Sequence, residues 1–204
     1  MSTERIFTEA REKVKKLLIV ACTAIACAVP AVASGANDPA TNAAKFCKQL
    51  ATASGGKHSE TYASAVRTMF PNASNVTAKN AYGKCVSSKT KENRTETAAA
   101  AQQAHKNAAK TCKAQQSSDP SGFATQWGTK KNAYGKCVSA TARANEQQAA
   151  QQQTQDDQNT VNAAKTCKAQ RKNDAAGFAT QWGTKKNAFG KCVSTTAKHH
   201  GQGS

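Results

Sequence analysis

The motif "NAYGKCVS" begins at residue 80, returns unchanged at residue 132 and recurs as "NAFGKCVS" at residue 187. A second motif stands upstream of each copy, as "NAAKFC" from Asn42 and as "NAAKTCKAQ" from both Asn107 and Asn162. Each pair of motifs contributes two cysteines, so the chain contains three copies of one Cys-pair unit. Self-similarity of this kind predicts one supersecondary unit per copy.

The second copy illustrates the expected local structure. Alanine, asparagine, lysine and glutamine dominate it, and most of its apolar residues recur at helical spacing. Asp119 is a typical helix N-cap, and Pro120 suits the first helical position. Gly128 is a typical glycine at a helix end, and Thr129 is expected to cap the helix that follows. Each unit is therefore predicted to be a hairpin of two or three helices.

The chain has eight cysteines, six of which follow residue 33. The two cysteines of the second unit are 25 residues apart, as are those of the third; the first pair is 38 apart because that unit carries an insertion. An even number of cysteines in an exported chain is typical of disulfides. Equal spacing favours one bridge within each unit: Cys47–Cys85, Cys112–Cys137 and Cys167–Cys192.

The glycine of the motif has a predicted structural role. A disulfide needs Cα atoms about 5.5 Å apart, whereas packed helix axes usually lie about 8–10 Å apart. Gly135, Ala108 and Ala109 stand close in sequence to the two cysteines of the second unit. They are expected to remove side-chain bulk where the helices approach, and Tyr134 and Val138 are expected to cover the bridge.

Disulfides matter here because apolar residues are few. After residue 33 the chain has one leucine and no isoleucine, a composition close to that of disordered chains. Polar stretches rich in alanine and glutamine separate the units at residues 89–106 and 142–161, and they are expected either to continue the helices or to be partly disordered. The predicted fold is all-α, with three small disulfide-stapled helical hairpins joined by these long polar connectors.

Residues 1–33 have the pattern of a secretory signal peptide, with a basic segment, an apolar run and Ala-Val-Ala at the end. The apolar run is too short for a membrane span. The expected localisation is therefore secreted or cell envelope, with a lipid anchor at Cys27 or Cys22 as the minor alternative. The predicted organisation is a signal peptide at 1–33, repeat 1 at 42–88, repeat 2 at 107–141, repeat 3 at 162–197 and a tail at 198–204.

The Cys-pair unit ending in N-A-[FY]-G-K-C-V-S resembles a repeat in uncharacterised secreted proteins of high-GC Gram-positive bacteria. The resemblance covers residues 42–197, and its motif is fairly specific. It implies no established activity. The first copy departs from the pattern through its insertion, in which Tyr62 and Val66 take the places of Phe123 and Trp127.

The chain is strongly basic, with 29 Lys and Arg against 12 Asp and Glu and a formal net charge of +17, which becomes about +15 without residues 1–33. Such a charge attracts anionic polymers. The expected function is their non-catalytic binding; cell-wall polymer, acidic polysaccharide, phospholipid surfaces and extracellular DNA are the expected partners. The alternative is a structural spacer or surface protein without a specific ligand. The candidate binding residues are Lys110, Lys113, Lys130, Lys131, Lys136, Lys165, Lys168, Lys185, Lys186 and Lys191.

The sequence shows no catalytic constellation. The acidic residues after residue 33 are scattered, and Asp119 and Asp174 are better explained as helix caps. The four histidines hold no common position relative to the cysteines, so neither a metal site nor a cofactor is expected. A small-molecule substrate is not evident either. Trp127 and Trp182 are expected to fill the small cores rather than to stack on bases or sugars.

Overall fold

The structure, a computed structural model, describes residues 38–201. Within this range the secondary structure is helical, without strands, which confirms the prediction of an all-α fold. The helices are α1 (Pro39–Ala53), α2 (Glu60–Met69), α3 (Ala81–Ser118), α4 (Pro120–Trp127), α5 (Ala133–Asn173), α6 (Ala175–Trp182) and α7 (Ala188–Gly201). The predicted signal peptide, with Cys22 and Cys27, lies outside the described residues, as do residues 202–204 of the predicted tail.

Aspartate side chains begin three of the helices. The carboxylate of Asp119 accepts a hydrogen bond of 2.9 Å from the backbone N–H of Gly122, and Pro120 follows it at the start of α4. This bond lowers the pKa of Asp119. Asp174 caps α6 in the same way, and Asp38 caps α1. The expected cap at Thr129 is wrong, because α5 begins only at Ala133.

Three disulfides connect the helices in chain order, which confirms the prediction of disulfide bonds. Cys47–Cys85 joins α1 to α3, Cys112–Cys137 joins α3 to α5, and Cys167–Cys192 joins α5 to α7, each with Cα atoms 6.0 Å apart. α3 has 38 residues and α5 has 41, so each runs without a break through one of the two connectors. Each of these two helices therefore belongs to two neighbouring repeats.

α3 and α5 lie antiparallel to one another. Lys89 Nζ is 2.9 Å from Asp157 Oδ1, and Gln153 Nε2 donates to Asn93 Oδ1 at 3.0 Å. Farther along, His105 Nε2 lies 3.8 Å from Glu146 Oε1. The side chains of Lys89 and Asn93 are buried in this contact, and small buried alanines such as Ala104 and Ala142 let the helices approach. Polar pairs and alanines hold the connectors together where no apolar stripe exists.

The burial of Asp157 beside Lys89 predicts a pH effect on stability. Burial raises the pKa of Asp157, and the Lys89 ammonium lowers it by less. Because the folded state then binds this proton more tightly than the unfolded state, the resulting stabilisation is present below the ordinary pKa and is lost as pH rises through the raised folded value. We expect the free energy of unfolding in urea, wild type minus Asp157→Asn, to decrease as pH rises from below the ordinary aspartate pKa of about 3.9 to above the raised folded value. An increase would contradict this account.

The fold-back of α3 on α5 places repeats 1 and 3 at the same end of the molecule, where they share one hydrophobic core. This core includes Leu50, Tyr62 and Val66 from repeat 1 together with Phe178 and Val193 from repeat 3. Repeat 2 forms a separate and much smaller cluster at the other end, built on Phe123, the Cys112–Cys137 bridge and Ala133, with Trp127 and Val138 packed against it. The repeats are therefore not three independent hairpins in a row.

The insertion of repeat 1 explains one of the three motif glycines. It supplies α2, which packs on α7, and Ser64 Oγ of α2 accepts a hydrogen bond of 3.3 Å from the N–H of Gly190. A Cβ at Gly190 would collide with the side chain of Thr68 and lie 2.6 Å from the carbonyl oxygen of Ser64. Close packing of α2, rather than the neighbouring disulfide, therefore requires this glycine.

The matching positions in the other two repeats are open. A Cβ at Gly83 or Gly135 would meet nothing within 4 Å, so the expectation that Gly135 makes room for the disulfide is wrong. Tyr134 is 37% exposed instead of covering the bridge, and its hydroxyl donates to the carbonyl oxygen of Ala109 at 3.0 Å. Phe189, at the same position of repeat 3, lacks that hydroxyl and is 3% exposed beneath α2.

Candidate anion-binding groove

A groove of about 610 Å³ runs between α1 and α5. Four of its lining residues are lysines: Lys45 and Lys48 on α1, and Lys165 and Lys168 on α5. All four side chains are exposed. The remaining lining residues are Gln49, Thr52, Ala53, Gln158 and Val161. We call these four lysines the lysine row.

The lysine row follows from the repeat. In each of repeats 1 and 3, one lysine lies two residues before the first cysteine and one lies a single residue after it. Residues three apart on a helix point to the same side, so each helix presents a pair of ammonium groups. The buried cysteines Cys47 and Cys167 link these helices, α1 and α5, to α3 and α7 through their disulfides.

Packing between the repeats brings the two pairs together. Cys47 is bonded to Cys85, and Asn93 Nδ2 donates to the carbonyl oxygen of Pro39 at 3.1 Å, so α1 runs antiparallel to α3. α3 is in turn antiparallel to α5, as the contacts of Asn93 with Gln153 and of Lys89 with Asp157 show. α1 and α5 therefore lie parallel, with equivalent faces side by side.

The groove is electrostatically positive. None of its lining residues is acidic, so the four ammonium groups have no carboxylate among them. Asp157 precedes the lining residue Gln158 in sequence, but its carboxylate is paired with Lys89 on α3. Four uncompensated cations around one cavity make a site that suits a ligand with several negative charges.

The predicted lysines divide into two groups. Lys165 and Lys168 line the groove, whereas the other eight are exposed elsewhere on the surface: Lys110, Lys113, Lys130, Lys131, Lys136, Lys185, Lys186 and Lys191. Lys45 and Lys48 were not among the predicted binding residues. Their position around Cys47 matches that of the predicted lysines around Cys167, and this internal match is the signal that could have identified them.

The two tryptophans are placed against the cores. Trp127 packs on the small cluster of repeat 2, and Trp182 packs on the shared core of repeats 1 and 3. Neither lines the groove. In the part of the chain that the structure describes, no three His, Cys, Asp or Glu side chains are grouped as ligands for a metal ion.

Comparisons of the chain with protein-family models, with curated proteins and with solved structures find no match. Among residues 38–201, no helix combines the length and the apolar character needed to cross a membrane. The three disulfides are typical of an extracellular or otherwise oxidising environment.

Proposed function

We propose that this protein is an exported, non-catalytic helical repeat protein that binds anionic polymers. The observation that carries the proposal is the lysine row, four exposed ammonium groups gathered along one groove without an acidic lining residue. Binding of polyanions by lysines is driven largely by the release of counterions from the polymer. It requires no pocket for a defined small molecule and no catalytic group.

The compartment supports the same function. The sequence of residues 1–33 predicts export, and three disulfides suit an oxidising environment. Outside the cell, the anionic polymers available to a basic protein are cell-wall polymer, acidic polysaccharide, phospholipid surfaces and extracellular DNA. A net charge of about +15 without residues 1–33 favours association with any of them.

A matched pair of variants tests the groove. Replacing Lys45, Lys48, Lys165 and Lys168 with glutamine removes four charges from the groove. Replacing Lys110, Lys113, Lys130 and Lys131 removes four from repeat 2. We expect the first variant to bind a single-stranded DNA oligonucleotide more weakly. The slope of log affinity against log salt concentration is expected to be shallower by about 3, since each phosphate contact to a single strand contributes about 0.7.

The repeat 2 variant has the same net charge and is expected to keep most of the affinity and the slope. Fluorescence anisotropy across a salt series measures both quantities, and circular dichroism checks that both variants stay helical. Equal losses in the two variants would show that binding follows net charge alone. In that case the groove is not the site.

The second candidate function is that of a structural spacer. It is favoured by α3 and α5, two paired helices of 38 and 41 residues that disulfides hold at both ends. At about 1.5 Å per residue these helices are roughly 57 and 62 Å long. Wild-type protein that shows no salt-dependent affinity for any of the polymers named above would favour the spacer.

A further inference from the structure

The four groove lysines are staggered along the groove, two on α1 and two on α5. Pro39 of α1 lies level with Asn93 of α3, and Asn93 lies level with Gln153 of α5. A residue on α5 therefore has a number higher by 114 than the residue beside it on α1. Lys165 is therefore level with residue 51 of α1, and Lys168 with residue 54. The lysines follow one another at steps of three residues, first Lys45 and Lys48, then Lys165 and Lys168.

This stagger has a definite length. Three residues of α-helix rise about 4.5 Å, so the four lysines span about 13.5 Å along the groove. Cα–Cβ bonds on parallel helices tilt in the same direction, so the lysine side chains leave the two helices at the same axial spacing as their Cα atoms. A compact anion meets only part of such a row, whereas an extended chain meets all of it.

We propose that the groove binds one extended phosphodiester strand that lies along α1 and α5, an inference that rests on the proposed function and specifies its ligand. The groove contains lysines and no arginine. Lysine binds phosphate as a point charge, whereas the planar fork of arginine pairs bidentately with carboxylate and phosphate alike. A row of lysine point charges therefore suits phosphate groups spaced along a strand.

The strand is recognised through its backbone. The groove has no aromatic lining residue on which a base could stack. Gln49 and Thr52 lie between the lysines, and Gln158 lies beside Lys45 at the start of the row. These side chains can form hydrogen bonds with the hydroxyl or ether oxygens that link one phosphate to the next. A nucleic acid strand and a sugar-phosphate or polyol-phosphate polymer share this chemistry, and the experiment below distinguishes them.

The test uses abasic deoxyribose-phosphate oligomers of increasing length, titrated into the protein by calorimetry. We expect one strand per chain and an affinity that rises with length until the oligomer spans about 13.5 Å, after which it rises only slowly. The double variant of Lys45→Gln and Lys168→Gln shortens the row and is expected to reach its plateau with a shorter oligomer. The matched double variant of Lys110→Gln and Lys113→Gln keeps the wild-type plateau. If the double variant of the lysine row reaches its plateau at the same oligomer length as the wild type, the proposed length of the row is wrong.

Further ligands separate this proposal from the proposed function. We expect inositol hexakisphosphate, which is compact, to bind more weakly than a strand with equal charge, by up to about fivefold for each lysine that it cannot reach. Equal affinity for both would overturn the strand geometry while leaving the anion-binding groove intact. If neither ligand distinguishes the wild type from the variant lacking all four groove lysines, the proposed function itself fails.

The remaining arms identify the source of the phosphates. Single-stranded DNA is expected to bind like the abasic oligomer of equal length, and much tighter binding of DNA would overturn recognition through the backbone. Polyglutamate of equal charge is expected to bind more weakly, and equal binding would overturn the preference for phosphate. Phosphatidylglycerol vesicles that bind as tightly as the strand, with the same loss in the groove variant, would replace the strand by a lipid surface.

Discussion

Replacing Gly190 with alanine is expected to destabilise the protein, whereas the same replacement at Gly135 is expected to stabilise it. A Cβ at Gly190 meets Thr68 and the carbonyl oxygen of Ser64 on α2. Overpacking of this kind costs about 1–3 kcal/mol. A Cβ at Gly135 meets nothing within 4 Å, and alanine is favoured over glycine in a helix by about 0.5–1 kcal/mol.

Urea unfolding followed by circular dichroism measures both changes in the free energy of unfolding. Gly83, the matching position of repeat 1, is also open and serves as a second control. Hydrogen exchange adds a local readout, since the Gly190 variant is expected to lose protection first in α2. If alanine stabilises the protein equally at Gly190 and Gly135, α2 is not packed closely on α7.

Loss of the Cys112–Cys137 disulfide is expected to unfold repeat 2. Loss of Cys167–Cys192, which closes a loop of the same length, is expected to leave repeat 3 helical. Both bridges join cysteines 25 residues apart, so the chain-entropy contribution of each is about 3.5 kcal/mol. The surroundings differ, because Cys112–Cys137 lies in the small cluster of repeat 2 while Cys167–Cys192 lies in the large shared core. Removing Cys112–Cys137 is therefore expected to melt the repeat 2 end.

Two double variants, with both cysteines of one bridge changed to alanine, make this comparison. For the repeat 2 bridge we expect lower helicity by circular dichroism and a loss of hydrogen-exchange protection over residues 107–141. For the repeat 3 bridge we expect a lower melting temperature with helicity retained. Equal losses of helicity would show that the shared core contributes less than its composition indicates, and reduction of all three bridges is expected to lower helicity the most.

Local and covalent features of the fold could be predicted from the sequence. The helical composition, the cap at Asp119 with Pro120 behind it, and the disulfides depend on residues close together or on one recurring spacing. Thr129 failed as a cap because several residues can precede a helix in a short loop, and only the geometry of the chain selects among them. Such choices depend on packing that the local sequence does not contain.

Contacts between repeats could not be predicted in this way. The insertion of repeat 1 could be recognised, but not that α2 within it packs on repeat 3. The lysine row was missed for the same reason, since the repeat places a pair of lysines on each first helix and only the fold-back of α3 on α5 sets two pairs side by side. The sequence did offer one clue to the contact between repeats. The motif tyrosine is replaced by Phe189 in repeat 3, which removes a hydroxyl at a position that is buried there.

The contact between Ser64 and Gly190 joins residues 126 positions apart, and this separation constrains the order in which the molecule can fold. Contacts between distant residues form slowly, because the loop between them must close first. The hairpins within the repeats, with short loops, are expected to form early, and the docking of α2 on α7 is expected to come last. During synthesis the N-terminal repeat therefore cannot complete its packing until the last helix of the chain has been made. Until then its apolar residues are exposed to proteases and chaperones.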